Sequence, residues 1–277
     1  GFTSTQIGAL TTLHMSVLTA NQLRAIETSD VVGLNSLQIA ALDATQIAIL
    51  TTGQLAQLNS VQIAAIETTD IISITSSSAS GLSLTQIAAL SSSQAAALTS
   101  NQISVFDSRQ LAALTTTQMP SLTTLQLKAI DTANLSGFSS RQIAALTAPQ
   151  LASLTTMQIA SLTTIQIRGI ESSDIGSMAT DQISALESSQ FVVMSTSQFT
   201  AFNSAQIQAI DTGDVTAFSS TQMSAFNSNQ IGALTMDQIS ILSTAQIVGI
   251  QTTPISGLNT AQIEAFSSSQ IAALNTR

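Results

Sequence analysis

The sequence predicts an all-α solenoid built from very short capped helices, with one helix in each repeat of eight residues. Three observations support this fold class. Residues 3–274 divide into 34 consecutive octads without an insertion or deletion. Position 8 of the octad is a large apolar residue in all 34 copies, and position 5 is large and apolar in 32 of them. Position 1 is Ser, Thr, Asp or Asn in 28 copies, and position 4 is Gln in 26.

An eight-residue apolar period does not fit a continuous α-helix, because successive octads would rotate their apolar positions by about 80° around the axis. The residues at position 1 are typical helix N-caps, and Gln three residues later completes a capping box with the N–H of the cap residue. Positions 5 and 8 then share one face of a short helix. We therefore predict helices of less than two turns, with a small position 7 where the next segment crosses closely.

A single octad cannot be stable alone. Burying two large aliphatic side chains contributes roughly 3–6 kcal/mol, whereas ordering eight residues costs on the order of 12 kcal/mol. Stability therefore requires many stacked octads whose side chains at positions 5 and 8 form one continuous core. The large residues of the C-terminal third that we assign to this core are Phe191, Phe199, Phe202, Phe218, Phe226, Met178 and Met194.

A β-solenoid is the alternative fold. Ile-x-Ala alternates as a strand would, Ser and Thr suit strands, and a repeated Gln could form an amide ladder between coils. Three prolines and the composition bear on the choice. Pro149 and Pro254 fall in the first turn of the predicted helices, where no helical N–H is needed. Pro120, at position 6, would remove a helical hydrogen bond. Abundant Ala and Leu favour the helical alternative.

Residues 1–277 are interpreted as a single continuous repeat array that is truncated within a repeat at both ends. Gly1 and Phe2 match positions 7 and 8, whereas residues 275–277 match positions 1 to 3. Neither end has the polar capping repeat that soluble repeat proteins normally need. We therefore expect either a longer array or head-to-tail self-association, the kind of contact that forms fibres.

Composition excludes several classes of function. Six Lys and Arg against fifteen Asp and Glu give a net charge of −9, so we expect no nucleic-acid partner. Cysteine is absent, and Ser, Thr or Gln interrupts every apolar run, so neither a disulfide scaffold nor a transmembrane segment is expected. His14 is the only histidine, and no phosphate loop occurs. We expect no enzyme activity and assign no catalytic or cofactor-binding residue.

Six octads depart together from the consensus and carry acidic or polar residues at positions 1 and 4. They begin at residues 27, 67, 131, 171, 211 and 251, mostly 40 residues apart, which indicates a higher repeat of five octads and predicts a ridge of carboxylates. The last of them is an exception, because it has Gln251 at position 1 and Pro254 at position 4 and so carries no carboxylate there. One interpretation is helix capping by the acids. The other is a calcium site, although an isolated pair of carboxylates supplies too few ligands. The candidate calcium ligands are Glu27, Asp30, Glu67, Asp70, Glu171, Asp174, Asp211 and Asp214.

Three cations, Arg24, Lys128 and Arg168, each precede an acidic position 1 by three residues. We interpret them as members of local surface ion pairs, which contribute little to stability.

The motif Thr-x-x-Gln-Ile-x-Ala-Leu, seen with Ser at position 7 in residues 155–162, covers nearly the whole chain. It resembles the octapeptide tracts of very large secreted bacterial proteins described as adhesin- or hemagglutinin-like. That resemblance implies an extracellular or cell-surface part without catalytic residues. A shorter similarity to the opening helix of TAL-effector repeats spans eight or nine residues and lacks their base-reading loop, so DNA recognition is not expected.

These observations together predict a structural repeat segment of an extracellular bacterial surface adhesin, stalk or filament, which associates with itself end to end. The alternative is a binding module that uses a Ser/Thr ridge or the acidic ridge to bind glycan, ice or calcium. Sequence does not identify the surface ligand, and no cofactor other than calcium is a candidate.

Overall fold

The computed structural model describes residues 2–274, and within this part every octad forms one short helix. There are 31 α-helices of four to seven residues and three 3₁₀-helices, and no strand occurs among the described residues. The predicted all-α solenoid is therefore confirmed, and the β-solenoid alternative is wrong. Of the residues on which the interpretation of truncated ends rested, Gly1 and residues 275–277 lie outside the described part.

The chain divides into two compact units, Gly1–Phe138 and Ser139–Arg277, and the division coincides with the end of an octad. In the first unit, the α-helices are Ser4–Gly8, Thr12–Ser16, Ala20–Arg24, Ser36–Ala40, Ala44–Ala48, Thr52–Gln57, Ser60–Ala64, Ser76–Ala79, Leu84–Ala89, Ser92–Ala97, Ser100–Ile103, Ser108–Ala113, Thr124–Ala129 and Thr132–Leu135. Its 3₁₀-helices are Val31–Gly33, Ile71–Ser73 and Met119–Ser121.

The second unit contains α-helices only, within its described residues. They are Ser140–Ala144, Ala148–Ser153, Thr156–Ser161, Thr164–Ile167, Ser172–Ile175, Thr180–Ser184, Ser188–Val193, Thr196–Thr200, Ser204–Ala209, Thr212–Val215, Ser220–Met223, Ser228–Ala233, Met236–Ser240, Thr244–Gly249, Thr252–Ile255, Thr260–Glu264 and Ser268–Leu274. None of the helices in residues 2–274 has both the length and the apolar composition that crossing a membrane requires.

Extended residues separate one helix from the next. Asp107 is extended, with φ −77° and ψ 173°, and its carboxylate accepts a hydrogen bond from the backbone N–H of Gln110 at 2.8 Å. The helix it caps ends at Ala113, and the next residue, Leu114, is again extended with φ −60° and ψ 132°. Positions 8 and 1 therefore redirect the chain between helices, and the position 1 side chain supplies the N-terminal hydrogen bond that was predicted.

The positions of the three prolines agree with the helical interpretation of the sequence. Pro149 lies in the first turn of the helix Ala148–Ser153, and Pro254 in the helix Thr252–Ile255. The octad that contains Pro120 forms only the 3₁₀-helix Met119–Ser121. A proline at position 6 removes an α-helical donor, which explains why this octad adopts the tighter helix.

The side chains at positions 5 and 8 form the core of each unit, as predicted. In the second unit the phenylalanines pack on one another, with the ring centroids of Phe199 and Phe218 4.9 Å apart in an edge-to-face arrangement. Phe191 and Phe226 are also buried, and Met178 and Met194 are each 4% exposed. The bulkier residues of the C-terminal third are therefore core residues, in agreement with the prediction.

Within each unit, helices pack against helices three octads away in the chain. Position 7 is the point of close approach. A methyl group on Gly249 would lie 2.4 Å from the carbonyl oxygen of Ser220, and one on Gly169 would lie 2.3 Å from that of Ser140. No described residue has a positive φ, so these glycines serve the close contact and not a special turn. The small position 7 predicted from the sequence is confirmed.

Candidate functional site

The glutamine at position 4 connects successive turns of the solenoid. Gln102 is 1% exposed, and its Oε1 accepts a hydrogen bond from the N–H of Thr99 at 2.6 Å. Its Nε2 donates to the carbonyl oxygens of Ile71 at 2.7 Å and Ile74 at 2.6 Å. We call these two bonds the interturn amide bonds. One side chain therefore completes the capping box of its own helix and also donates hydrogen bonds to the preceding turn of the solenoid.

The same geometry recurs in both units. In the second unit, the Nε2 of Gln206 donates to the carbonyl oxygens of Ile175 at 2.7 Å and Met178 at 2.8 Å. The acceptors are positions 5 and 8 of the octad four places earlier. Because octads also pack three places apart, one turn of the solenoid contains more than 24 and fewer than 32 residues.

Burial makes these bonds important. A buried amide that lacked its partners would destabilise the fold, because its desolvation would not be offset. Twenty-four of the glutamines at position 4 are buried. Within residues 2–274, no buried side-chain nitrogen or oxygen lacks a hydrogen-bond partner. The interturn amide bonds therefore add directional hydrogen bonds to the apolar contacts that hold stacked octads together.

The sequence predicted that the position 4 glutamine accepts the capping hydrogen bond. It did not predict that the same side chain donates the interturn amide bonds. A detectable signal was present, because Glu completes a capping box as well as Gln does, yet no octad has Glu at position 4. Only the amide can donate hydrogen bonds, so the use of Gln in 26 octads and of Glu in none indicates that donors are favoured at this position. The β-solenoid alternative included amide bonds between coils. The amides do connect turns, but they bond to backbone carbonyls.

The acidic octads replace this glutamine and make different contacts. Asp30 accepts a hydrogen bond at 2.9 Å from the backbone N–H of Ser4, three octads earlier, and Asp214 accepts one from the hydroxyl of Ser188. Asp70 and Asp174 accept hydrogen bonds from the hydroxyl groups of the residues that precede them, at 3.4 and 3.3 Å. The acids at position 4 therefore form individual polar contacts.

The capping interpretation of position 1 in these octads is correct for three of the five acids and wrong for the other two. Asp131 caps its helix, because its carboxylate accepts a hydrogen bond from the backbone N–H of Ala133 at 2.9 Å. Glu27 and Glu67 precede turns that lead into 3₁₀-helices, and so they do not occupy α-helix N-caps. Glu171 and Asp211 do occupy N-cap positions, but neither side chain makes a capping hydrogen bond. Asp174 and Asp214 lie in the first helical turn, where a negative charge is favourable.

The eight candidate calcium ligands are not brought together. Acidic octads are five or eight places apart in the chain, whereas octads that touch are three or four places apart. The predicted ridge of carboxylates is therefore wrong. Among the described residues, no group of three or more His, Cys, Asp or Glu side chains is arranged to hold a metal ion.

The ion-pair interpretation also needs correction for two of the three cations. Neither Arg24 nor Arg168 forms an ion pair within the described part of the chain, so neither pairs with the acid three residues later. His14 has the role of a capping glutamine, because its Nδ1 accepts a hydrogen bond from the N–H of Thr11 at 3.2 Å.

The hydroxyl groups at position 1 already accept capping hydrogen bonds in most octads. The Oγ1 of Thr99 accepts a hydrogen bond from the backbone N–H of Gln102 at 3.2 Å, and the same contact recurs in most octads that begin with Ser or Thr. A Ser/Thr ridge that binds a ligand would therefore have to rely on position 2.

The first and last octads expose the groups that are buried elsewhere. Gln6 and Gln22 are exposed, and their Nε2 atoms have no acceptor among the described residues. Ile263 is 42% exposed and Ile271 37% exposed, whereas most residues at position 5 are completely buried. Phe2, Gln6, Gln22, Ala25 and Ile26 line a groove of about 490 Å³ on the first octads.

The ALTTAQ repeat model matches residues 23–60, 96–124, 127–164, 167–204, 207–244 and 242–276, which together make up well over half of the chain. The chain belongs to the ALTTAQ repeat family. The motif corresponds to positions 7 and 8 of one octad followed by positions 1 to 4 of the next, as in residues 113–118. Matches that start at 127, 167 and 207 are 40 residues apart, the period of the acidic octads. No curated protein matches the chain.

Proposed function

We propose that this ALTTAQ repeat chain is a non-catalytic structural segment that associates end to end with further copies through interturn amide bonds. The observation that supports the proposal is the complementarity of the two ends. The first octads present unbonded amide donors at Gln6 and Gln22 beside an apolar groove. The last octads present the exposed side chains of Ile263 and Ile271.

The acceptors at the other end complete this match. Gln270 donates to the carbonyl oxygens of Ile239 and Leu242, at 2.9 and 2.8 Å. Within the described residues, no later glutamine reaches the equivalent carbonyls of Ile247 and Ile250. The corresponding octads of a second copy would bury these groups with the contacts that already operate inside each unit.

A structural segment of this kind would suit the stalk or filament of an extracellular surface protein. The resemblance to octapeptide tracts of secreted adhesin-like proteins supports that location, and six Lys and Arg in 277 residues leave few sites for trypsin-like proteases. Antibodies raised against the chain should label intact cells of the source bacterium. Labelling only after lysis would contradict the extracellular location.

Self-association can be tested with the purified chain by sedimentation velocity and negative-stain electron microscopy over a range of concentrations. We expect head-to-tail oligomers that become longer as the concentration increases. The double variant Gln6→Glu/Gln22→Glu removes both amide donors and adds charges at the proposed contact, so it should shift the association to at least tenfold higher concentration.

The matched control is Gln57→Glu, which alters an exposed glutamine at position 7 on the side of the first unit. It should associate like the unmodified chain. A chain that is monomeric at every concentration, or an association that the double variant leaves unchanged, would reject end-to-end self-association.

A further inference from the structure

A surface groove recurs between octads that are three places apart. Positions 2, 3 and 6 of the first octad form one side, and positions 3, 6 and 7 of the second form the other. One such groove in the second unit has a volume of about 330 Å³. Its lining residues are Ser140, Arg141, Ala144, Ile165, Arg168, Gly169 and Glu171.

This groove contains two of the six basic residues in the chain. Arg141 and Arg168 come from octads that pack on each other, and both side chains are exposed. Neither guanidinium group makes an ion pair or a hydrogen bond to the described part of the chain. The chain has only six basic residues and a net charge of −9. Six basic residues scattered at random over the surface would seldom place two at the same groove.

The backbone holds the two sides of the groove close together. Gly169 packs on the backbone of Ser140, where a methyl group would lie 2.3 Å from the carbonyl oxygen. Ala144, which also lines the groove, is small. The groove therefore has one arginine from each of two closely packed octads.

The remaining lining residues suggest the ligand. Guanidinium groups bind carboxylate and sulfate oxygens through paired hydrogen bonds. The Glu171 carboxylate and the Ser140 hydroxyl can accept hydrogen bonds from hydroxyl groups, and Ile165, which is 66% exposed, offers an apolar contact. A sugar ring with an acidic substituent has all three features: an oxyanion, several hydroxyls and an apolar face.

We propose that this groove binds an acidic saccharide, with Arg141 and Arg168 contacting its carboxylate or sulfate group. Equivalent grooves elsewhere lack the pair of cations. The groove lined by Ser220, Thr221, Thr244 and Gly249 is larger, at about 510 Å³, and contains no charged residue. The groove lined by Leu84 and Arg109 contains one arginine. Binding of an acidic saccharide should therefore depend on one place in the chain.

The test is isothermal titration of the full chain with an oligogalacturonate, a heparin oligosaccharide and neutral dextran, at about 20 mM and about 150 mM salt. We expect at least one acidic saccharide to bind and dextran not to bind. Preference for the galacturonate would identify a carboxylate ligand, and preference for heparin a sulfate. Because the chain is strongly acidic overall, general attraction of a polyanion is disfavoured, and binding reports a local site.

The double variant Arg141→Gln/Arg168→Gln should lower the affinity at least tenfold, because two charge-assisted contacts are lost. The control Arg24→Gln/Arg109→Gln removes the same number of charges from exposed positions in the first unit and should change the affinity less than twofold. Circular dichroism of both variants checks that they are folded. Absence of binding at low salt, or an equal loss of affinity in the two double variants, would overturn the proposal.

Discussion

At the scale of single residues, the choice of glutamine over glutamate explains how the turns are held together. Both side chains can accept the N–H of the cap residue, but only glutamine can donate two hydrogen bonds to another turn. Gln102 makes all three bonds from a buried position, whereas Gln22 makes only the capping bond and is exposed. These two positions therefore separate the capping contribution from the interturn contribution.

We predict that Gln102→Glu lowers the free energy of unfolding by roughly 3 kcal/mol at pH 7, because two donors are lost and a charge is buried against carbonyl oxygens. Gln22→Glu, which keeps its capping contact and has no interturn bonds, should change stability by less than about 0.5 kcal/mol. Urea unfolding monitored by circular dichroism measures both. Equal stability of the two variants would contradict the structural role of the interturn amide bonds.

A second residue-scale prediction concerns Asp43. The hydroxyl of Thr45, at 2.5 Å, and then the backbone N–H of Gln46, at 2.8 Å, lower the pKa of this carboxyl below its ordinary value. Because the folded-state pKa is depressed, the stabilising contribution of Asp43 is present above the ordinary pKa of aspartate and is lost as the pH falls through the lowered value.

NMR titration of the Asp43 carboxyl carbon should give a pKa below that of an unstructured aspartate. In Thr45→Ala the pKa should move back towards that ordinary value, because the strongest hydrogen bond to the carboxylate is removed. An identical pKa in the two proteins would show that the Thr45 hydroxyl does not stabilise the carboxylate.

At the scale of elements, the spacing between helices is set at position 7. Helices that pack three octads apart approach so closely that some contacts exclude even a methyl group, as at Gly249 against the backbone of Ser220. Gly213 is different: it lies in the helix Thr212–Val215, and a methyl group there would meet nothing within 4 Å. The two glycines in the second unit therefore have opposite consequences for stability.

We predict that Gly249→Ala destabilises the protein by about 1–3 kcal/mol, because a backbone segment would have to move to accommodate the methyl group. Gly213→Ala should be neutral or stabilise by up to about 1 kcal/mol, because alanine favours the helix and no contact opposes it. Thermal and urea unfolding of both variants provide the measurement. A stabilising effect of Gly249→Ala would show that the close approach to Ser220 is not a constraint.

At the scale of the whole molecule, stability depends on a register that repeats every eight residues. A buried glutamine such as Gln102 donates to the carbonyl oxygens of positions 5 and 8 in the fourth octad before it, and those acceptors are backbone groups that any octad supplies. The contacts should therefore tolerate the loss of a complete octad and should not tolerate the loss of part of one.

We predict that deleting residues 91–98, one complete octad, leaves helical content per residue and cooperative unfolding close to those of the unmodified chain. Deleting only residues 91–94 should cause a large loss of helical signal, because Gln102, Gln110 and Gln118 move out of phase with their acceptors, which precede the deletion. Far-UV circular dichroism and thermal unfolding compare the two deletions. Similar spectra for both would contradict an octad register.

Much of the architecture could be predicted because it depends on local chemistry. Position 1 caps begin the helices, the two apolar positions define a face, and the octad containing Pro120 deviates for a reason visible in the sequence. The function of the acidic octads could not be predicted in the same way. Their five-octad period suggested alignment, but alignment depends on how many octads form a turn, and that number is set by packing between residues distant in the chain.

The sequence by itself determined the helix in each octad, its capping, the composition of the core and the small residue at position 7, since all of these follow from spacings shorter than one repeat. Tertiary structure alone decided that each turn contains between three and four octads and that Gln102 bonds to carbonyls 28 and 31 residues away. It also decided that the carboxylates stay apart and that Arg141 and Arg168 share a groove. The physical reason is that backbone carbonyls are the same in every octad, so the identity of the acceptors is set only by how the turns stack.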